Sequence, residues 1–312
     1  MTCPKCAHAN PKRFGTYGAR KIQRYRCRDC GATFSPAQPK PLGRHTTPVE
    51  DASRAMLLLC EGMSVRSVSR MTGLHKNTIL RLTRTLGDKA ANVFNATVRN
   101  VSACQVECDE VWAFCGSKMK NVPPDKRGVW GDVWTWTAID AETKLIVSYR
   151  VGPRSPRLAY DLMIDLASRL STRIQLTTDG LYWYPHAVER AFGIDVDYAV
   201  LAKRYAETPQ GRYSPPRLIS TTKEVIRGNP DPAHISTSFV ERQNLTMRMC
   251  LRRFTRLTNG FSKSMAHHAA MVSFYFAFYN FCRVHQTLRV TPAMEAGIAD
   301  HVWSVAELVQ AA

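Results

Sequence analysis

Two C-x-x-C pairs near the start of the chain constrain its fold more than any other sequence feature. The pairs are Cys3 with Cys6 and Cys27 with Cys30, about twenty residues apart. Zn²⁺ prefers four tetrahedral ligands, and each C-x-x-C turn places two thiolates on one side of the ion. The spacing therefore predicts that residues 1–36 form a zinc ribbon, whose short strands have too little core to fold without the metal. A pair of redox dithiols is the alternative.

The charge balance indicates a polyanionic partner. Among 312 residues, Lys and Arg outnumber Asp and Glu by 43 to 25, which gives a net charge of +18. An excess of this size favours nucleic acid, although a basic protein without such a partner is the alternative. The N-terminal residues lack the apolar stretch of a signal peptide. We therefore expect a cytoplasmic, nucleoid-associated protein.

The most apolar predicted helix covers residues 265–281. His267, His268 and Asn280 interrupt it, and it is shorter than the ~20 apolar residues that span a bilayer. We interpret it as a core helix and expect no membrane partner.

A helical region follows a linker that is rich in Pro and basic residues. The linker is assigned to residues 37–48 and the helical region to 49–100. Within that region, residues 64–82 show a helix, a turn at Gly73 and a second helix, which is typical of a helix-turn-helix whose second helix reads the major groove of DNA. A small helical bundle with a basic surface is the alternative. The predicted DNA contacts on the second helix are His75, Lys76, Asn77, Arg81 and Arg84.

From residue 101 to residue 312 the pattern indicates an α/β domain. Its predicted order is three strands, a helix, a strand, a helix and a strand, followed by C-terminal helices. Residues 206–236 are rich in Pro, Gly, Ser and Thr, and we predict a long irregular insertion there.

Three acidic residues, far apart in sequence, have the local setting of a metal site. Asp109 lies in an apolar run that predicts a buried strand, Asp179 directly follows a second short strand, and Glu241 lies at the start of a basic helix. Carboxylates at strand ends point into a cleft, where two or three of them can hold a pair of Mg²⁺ ions around a phosphodiester.

Each of these acids has an alternative. Glu107 precedes Asp109 by two residues and shares its strand face, so it is a rival ligand, and Glu110 is a further candidate. Asp179 and the following glycine are also compatible with a simple turn. Ser238 and Glu241 have the spacing of a capping box, in which the glutamate would serve only the helix terminus.

Basic residues near these acids predict a phosphate track. Arg248 and Arg252 follow Glu241 at spacings that place all three on one helix face, and Lys203 and Arg204 lie just past a predicted strand.

Several sequence strings resemble a known family. They are the C-x-x-C pairs with the helix-turn-helix, Cys108-Asp109-Glu110-Val111-Trp112, Thr178-Asp179-Gly180, Lys203-Arg204-Tyr205, Glu241-Arg242-Gln243-Asn244-Leu245 and Gly260-Phe261-Ser262-Lys263-Ser264. With these strings the chain resembles the IS1-like insertion-sequence transposases of the DDE superfamily over nearly its whole length. The chain departs from compact members of that family in the long stretch between Tyr205 and Glu241.

The resemblance implies an RNase H-like catalytic domain with a mixed sheet over residues 101–312. It implies that Asp109, Asp179 and Glu241 coordinate two Mg²⁺ or Mn²⁺ ions, cut the transposon ends and join them to target DNA. The implied partners are terminal inverted repeats, target DNA and further copies of the chain in a dimer or larger assembly. The alternatives are a domesticated, non-enzymatic DNA-binding regulator that uses residues 1–100, and a metal-dependent nuclease without strand transfer.

Overall fold

The computed structural model describes residues 1–18, 21–36, 42–43, 45–206 and 217–311. The chain divides into two compact units, residues 1–41 and residues 42–312. Most of the first half of the predicted linker, and residues 207–216 of the predicted insertion, lie outside the described residues.

The first unit contains a small antiparallel sheet. Its strands are β1 (Lys12–Tyr17), β2 (Ile22–Arg26) and β3 (Thr33–Phe34), in the order β1-β2-β3. Among the described residues up to residue 36, only Cys3 and Cys27 are buried. Because so little apolar surface is buried, the hydrophobic effect contributes little to the stability of this unit.

The second unit begins with three helices, α1 (Val49–Cys60), α2 (Val65–Thr72) and α3 (Lys76–Thr97). Gly73 ends α2 in the left-handed conformation, with φ of 73°, which makes the turn into α3. The helix, turn and helix expected from the sequence are therefore present. α3 crosses a later helix so closely that a Cβ atom at Gly87 would lie 2.1 Å from the carbonyl oxygen of Ala270.

A six-stranded mixed sheet forms the centre of this unit, in the order β6-β5-β4-β7-β8-β9. The strands are β4 (Gln105–Cys115), β5 (Gly131–Asp140), β6 (Ile146–Gly152), β7 (Ile174–Asp179), β8 (Val196–Tyr205) and β9 (Leu218–Arg227). β4, β7 and β8 run parallel, whereas the other neighbouring pairs are antiparallel. The predicted α/β class and mixed sheet are confirmed.

Helices cover both faces of the sheet. They are α4 (Pro156–Ala167), α5 (Tyr184–Phe192), α6 (Ser238–Cys250), α7 (Met265–Phe281), α8 (Pro292–Glu295) and α9 (Val305–Ala311). On the face of α5, Tyr184 packs edge-on against Trp136 of β5. On the other face, Phe276 of α7 packs against Tyr149 of β6.

The interpretation of residues 265–281 as a core helix agrees with α7, in which all residues from Ala270 to Phe281 are buried. Within the described parts of the chain, no helix combines the length and apolarity needed to cross a bilayer.

The prediction of an irregular insertion at 206–236 is wrong for residues 218–227. They form β9, which pairs antiparallel with β8 at the edge of the sheet. The backbone hydrogen bonds to β8 hold this strand, because nearly all of its side chains are exposed. Its run of Ile, Thr and Val favours a strand, but the surrounding Pro and Gly residues obscured that signal.

Candidate metal centres and DNA-contact surfaces

Asp109 and Asp179 lie side by side on neighbouring strands. β4 and β7 are parallel and in register with Cys108 opposite Thr178, and β7 ends at Asp179. Asp109 lies in the middle of β4, and this register places it level with Asp179, the last residue of β7. The two aspartates and Glu110 can each bring one carboxylate oxygen within 4.8 Å of the others.

The pKa values of the acidic cluster, which consists of Asp109, Glu110 and Asp179, are raised above their usual range. Burial and then the charges of Asp179 and Glu110 raise the pKa of Asp109 to about 8. Burial also raises the pKa of Asp179, and the charge of Glu241 adds to the effect. Burial is the main cause of both shifts, and the neighbouring carboxylates add to it, so a bound cation would favour the charged forms of these groups.

Fixed donors orient the two aspartates. Asn244 of α6 donates from Nδ2 to Oδ2 of Asp109 over 2.8 Å. The backbone N–H of Leu181 donates to Oδ1 of Asp179 over 3.1 Å. Asp179 therefore stabilises the turn that follows β7, which was the alternative interpretation of this residue, and it also belongs to the acidic cluster.

Glu110 differs from the aspartates because a cation already neutralises it. Arg154 donates to Oε1 of Glu110 from both Nε and Nη2, each over 2.7 Å, and the hydroxyl of Tyr184 donates to Oε2 over 3.2 Å. Burial nevertheless raises the pKa of Glu110 to about 7, with a further rise from Asp179 that Arg154 opposes. Glu110 closes one side of the cluster.

Glu241 lies at the margin of the cluster. It is exposed in the first turn of α6, where its carboxylate accepts from Nζ of Lys203 and, over 2.7 Å, from the hydroxyl of Thr237. Its charge raises the pKa of both Asp109 and Asp179. It does not belong to the group of three described residues whose oxygens approach within 4.8 Å.

Glu107 has a structural role that the sequence did not indicate. Its Oε2 accepts from the backbone N–H groups of Phe239 over 2.7 Å and Val240 over 2.9 Å, which are otherwise unpaired at the start of α6. The capping box between Ser238 and Glu241 does not form, because Ser238 is already the first helical residue. A glutamate from β4 thus satisfies the N-terminus of α6 and fixes that helix beside the cluster.

The donor sets fit two kinds of metal. Carboxylate oxygens are the ligands that Mg²⁺ and Mn²⁺ prefer. In the first unit, the Sγ atoms of Cys3 and Cys30 lie 3.6 Å apart and those of Cys6 and Cys27 lie 3.5 Å apart. All four Sγ atoms lie within 4.8 Å of one another, so together they could hold one metal ion. A tetrahedron with Zn–S bonds of about 2.3 Å has S···S edges of about 3.8 Å, so this spacing is compatible with Zn²⁺.

The predicted DNA contacts on α3 are at the surface. His75, Lys76, Asn77, Arg81 and Arg84 are all exposed. Arg84 forms an ion pair with Asp88 on the same helix, at 3.0 Å. The side chains at the start of α3 are therefore accessible to a ligand.

The predicted phosphate track is only partly continuous. Arg248 is half-buried near Asp109, and its Nε has no hydrogen-bond partner among the described residues. Lys203 is engaged by Glu241, whereas Arg204 is exposed. The expectation that Arg252 extends the same helix face is wrong, because α6 ends at Cys250 and the extended backbone of Leu251 leads into a separate short turn.

Comparisons with known proteins add little to this geometry. No protein-family model matches the chain, and no curated protein sequence matches it. Among solved structures, the chain is similar to one in the cryo-EM structure of the piggyBac transposase synaptic complex with hairpin DNA. That similarity has a TM-score of 0.38 and 11% sequence identity, and it covers 85% of this chain and 70% of that chain. At this level it carries no argument, so any functional conclusion rests on the sites themselves.

Proposed function

We propose that the chain is a DNA transposase of the IS1-like, DDE type, with an RNase H-like catalytic domain. One observation carries this proposal: Asp109 and Asp179, seventy residues apart in sequence, converge at the end of β7 with raised pKa values. A buried excess of carboxylate on adjacent parallel strands is costly for the fold unless it has a use. Divalent metal binding for phosphodiester chemistry is the use that fits these donors best.

Each residue around the cluster has a proposed task. Asp109 and Asp179 would hold the metal ions, with their carboxylates oriented by Asn244 and by the backbone N–H of Leu181. Mg²⁺ or Mn²⁺, when bound there, would activate water or a DNA 3′-OH and stabilise the leaving oxygen. Arg248 is half-buried near Asp109, and its positive charge would offset the charge of the phosphate under attack.

Glu241 is proposed as the third acidic ligand. Its position in the first turn of α6, and its electrostatic effect on both aspartates, support this role. To serve as a ligand it must exchange its contact with Lys203 for a metal, which frees the lysine for DNA phosphate. Glu110 is the less suitable third ligand because Arg154 and Tyr184 already use both of its oxygens.

The remaining parts of the chain are proposed to bind DNA. The zinc ribbon of residues 1–36 and the helix-turn-helix of residues 49–100 would recognise the terminal inverted repeats. Pairing two ends before strand transfer requires a dimer or larger assembly. A regulator that only binds DNA would have no use for the acidic cluster.

The test uses a labelled duplex that carries the inverted repeat flanking the gene. With Mg²⁺, the parent chain should cut the repeat end and join it to a target plasmid. Arg81→Gln should weaken binding to the repeat but leave cutting at high DNA concentration largely intact, because base contacts specify the site without taking part in the chemistry. Cutting without joining would favour a nuclease, and binding without any cutting would favour a regulator.

A further inference from the structure

A groove of about 760 Å³ separates the helix-turn-helix from the C-terminal helices. Its walls are the first turns of α2 and α3 on one side, and residues 251–253 with the loop 259–264 and the start of α7 on the other. All of these residues belong to the second unit. The loop contains the string Gly260-Phe261-Ser262-Lys263-Ser264, to which the proposed chemistry gives no task.

The charge of this groove has a single sign. Among the described residues, five cationic side chains line it and no Asp or Glu does. The five are Arg66, Lys76, Arg252, Arg253 and Lys263. They come from four separate elements, namely α2, α3, the turn at residues 252–254 and the loop 259–264, so the accumulation is not the exposed face of one helix. A concave site with this charge attracts an anion.

Arg253 shows that the positive charge is uncompensated. Its Nη1 donates to the carbonyl oxygen of His267 over 2.7 Å and lies 3.5 Å from the hydroxyl of Ser262. No carboxylate of the described residues forms an ion pair with it. Burial lowers the pKa of Arg253 to about 10. A half-buried guanidinium without an acid lacks the partner that normally offsets its desolvation.

Lys263 likewise forms no ion pair with a carboxylate of the described residues. Its Nζ lies 2.8 Å from the centre of the Phe261 ring, and burial lowers its pKa. The Phe261 ring holds the ammonium group in place without neutralising its charge. The lysine can therefore still neutralise an anion.

The location of the groove identifies the anion. Lys76 is both the first residue of α3 and part of the groove wall, and His75 and Asn77 beside it are exposed. A duplex whose bases meet the start of α3 must pass its sugar-phosphate backbone close to this point. The first helix of a helix-turn-helix commonly crosses the backbone while the second reads the bases.

We propose that this groove binds the phosphate backbone of the DNA contacted by α3, with Arg253 and Lys263 as phosphate ligands. The loop 260–264 then joins the helix-turn-helix and the C-terminal helices into one DNA-binding surface. The inference rests on the proposed function for the identity of the DNA, but it concerns binding and is independent of cutting.

The experiment measures DNA binding by the full chain without added divalent ions. Fluorescence anisotropy is measured with a labelled duplex of about 30 base pairs over a series of NaCl concentrations. It gives the slope of the logarithm of the association constant K against the logarithm of the salt concentration. Each lost phosphate contact reduces the slope by about 0.9, which corresponds to about eightfold weaker binding at about 0.1 M salt. Lys263→Gln should show both changes, and its combination with Arg253→Gln should roughly double the change in slope.

Arg157→Gln is the matched control. It removes one positive charge from α4, and Arg157 does not line the groove. The Arg157 side chain is 90% exposed, and its Nε lies 3.8 Å from Oδ2 of Asp161. Because Arg253 also binds the His267 carbonyl, Lys263→Gln and Arg66→Gln keep the test valid if Arg253→Gln fails to fold. If these two variants match Arg157→Gln in slope and affinity, the groove does not bind DNA phosphate. That result would leave the proposed function standing as long as the parent chain cuts the repeat end and Asp179→Asn, which removes a proposed metal ligand, does not.

Discussion

Replacing Asp165 of α4 with Asn should destabilise the second unit far more than the same replacement of Asp161, the other acidic residue on this helix. Asp165 accepts hydrogen bonds from Ser148 over 2.5 Å and from Nε of Arg169 over 2.6 Å, and it pairs with Arg150 at 3.0 Å. The side chain of Arg169 is only 1% exposed. It also donates to the carbonyl oxygen of Val98 over 3.0 Å, so this network ties the end of α3 to the sheet.

Two arguments give the magnitude. Burial alone would raise the pKa of Asp165, but the hydrogen bonds from Arg169, Ser148 and Arg150 outweigh it and lower the pKa to about 2. A fall of about two units from the usual value corresponds to roughly 2–3 kcal/mol. Breaking a buried ion pair by removing one partner costs about 3–5 kcal/mol. Because Asn keeps an acceptor oxygen, we expect a loss of about 3 kcal/mol in the free energy of unfolding.

Urea unfolding at pH 7 measures this loss, with Asp161→Asn as the control. Asp161 lies on the same helix and pairs with Arg157 at 3.8 Å on the surface, so its replacement should change the free energy of unfolding by less than about 1 kcal/mol. The folded pKa of Asp165 lies below its unfolded value, so its contribution is present above about pH 4 and lost as the pH falls towards 2. Equal losses in the two variants would refute the reasoning.

Three other predictions follow from the metal centres. Cys27→Ser should remove a thiolate ligand, unfold residues 1–36 and reduce the zinc content from about one per chain to near zero, while residues 42–312 keep their thermal transition; a zinc-free but folded ribbon would contradict this. In metal-free protein at pH 7, Asp109→Asn should raise the free energy of unfolding by up to about 4 kcal/mol, because a folded pKa of about 8 makes the carboxyl destabilising above about pH 4. Added Mg²⁺ should stabilise the parent but not this variant, and equal stabilisation in differential scanning calorimetry would contradict the assignment. Glu241→Gln should abolish cutting of a labelled repeat end with little change in DNA binding, whereas normal cutting would remove Glu241 from the mechanism.

Local patterns were sufficient to predict much of the fold and part of the site. The C-x-x-C spacing, the turn at Gly73 and the alternation of strands and helices are all short-range signals. The end of a strand at Asp179 was also a local signal, but Asp109 lies in the middle of β4 and meets Asp179 only because β4 and β7 pair in parallel.

Long-range packing determined what the sequence could not indicate. Because side chains alternate along β4, Glu110 points to the opposite face of the sheet from Asp109. Glu110 can still approach Asp179 because β7 ends at Asp179 and does not continue beside Glu110. Arg154, which binds the Glu110 carboxylate, lies in a loop 44 residues later in the chain. Likewise, Glu107 looked like a rival ligand, and only the packing of α6 against β4 shows that it caps a helix.

The most direct test of the central claim is the anomalous scattering of Mn²⁺ in crystals of the full chain. If Asp109 and Asp179 form a two-metal site, manganese peaks should lie between their carboxylates, about 3.5–4 Å apart when both ions are bound. Asp179→Asn crystals soaked in the same way should lose these peaks and keep the zinc signal of the first unit. Parent crystals without a manganese peak in contact with both aspartates would contradict the account.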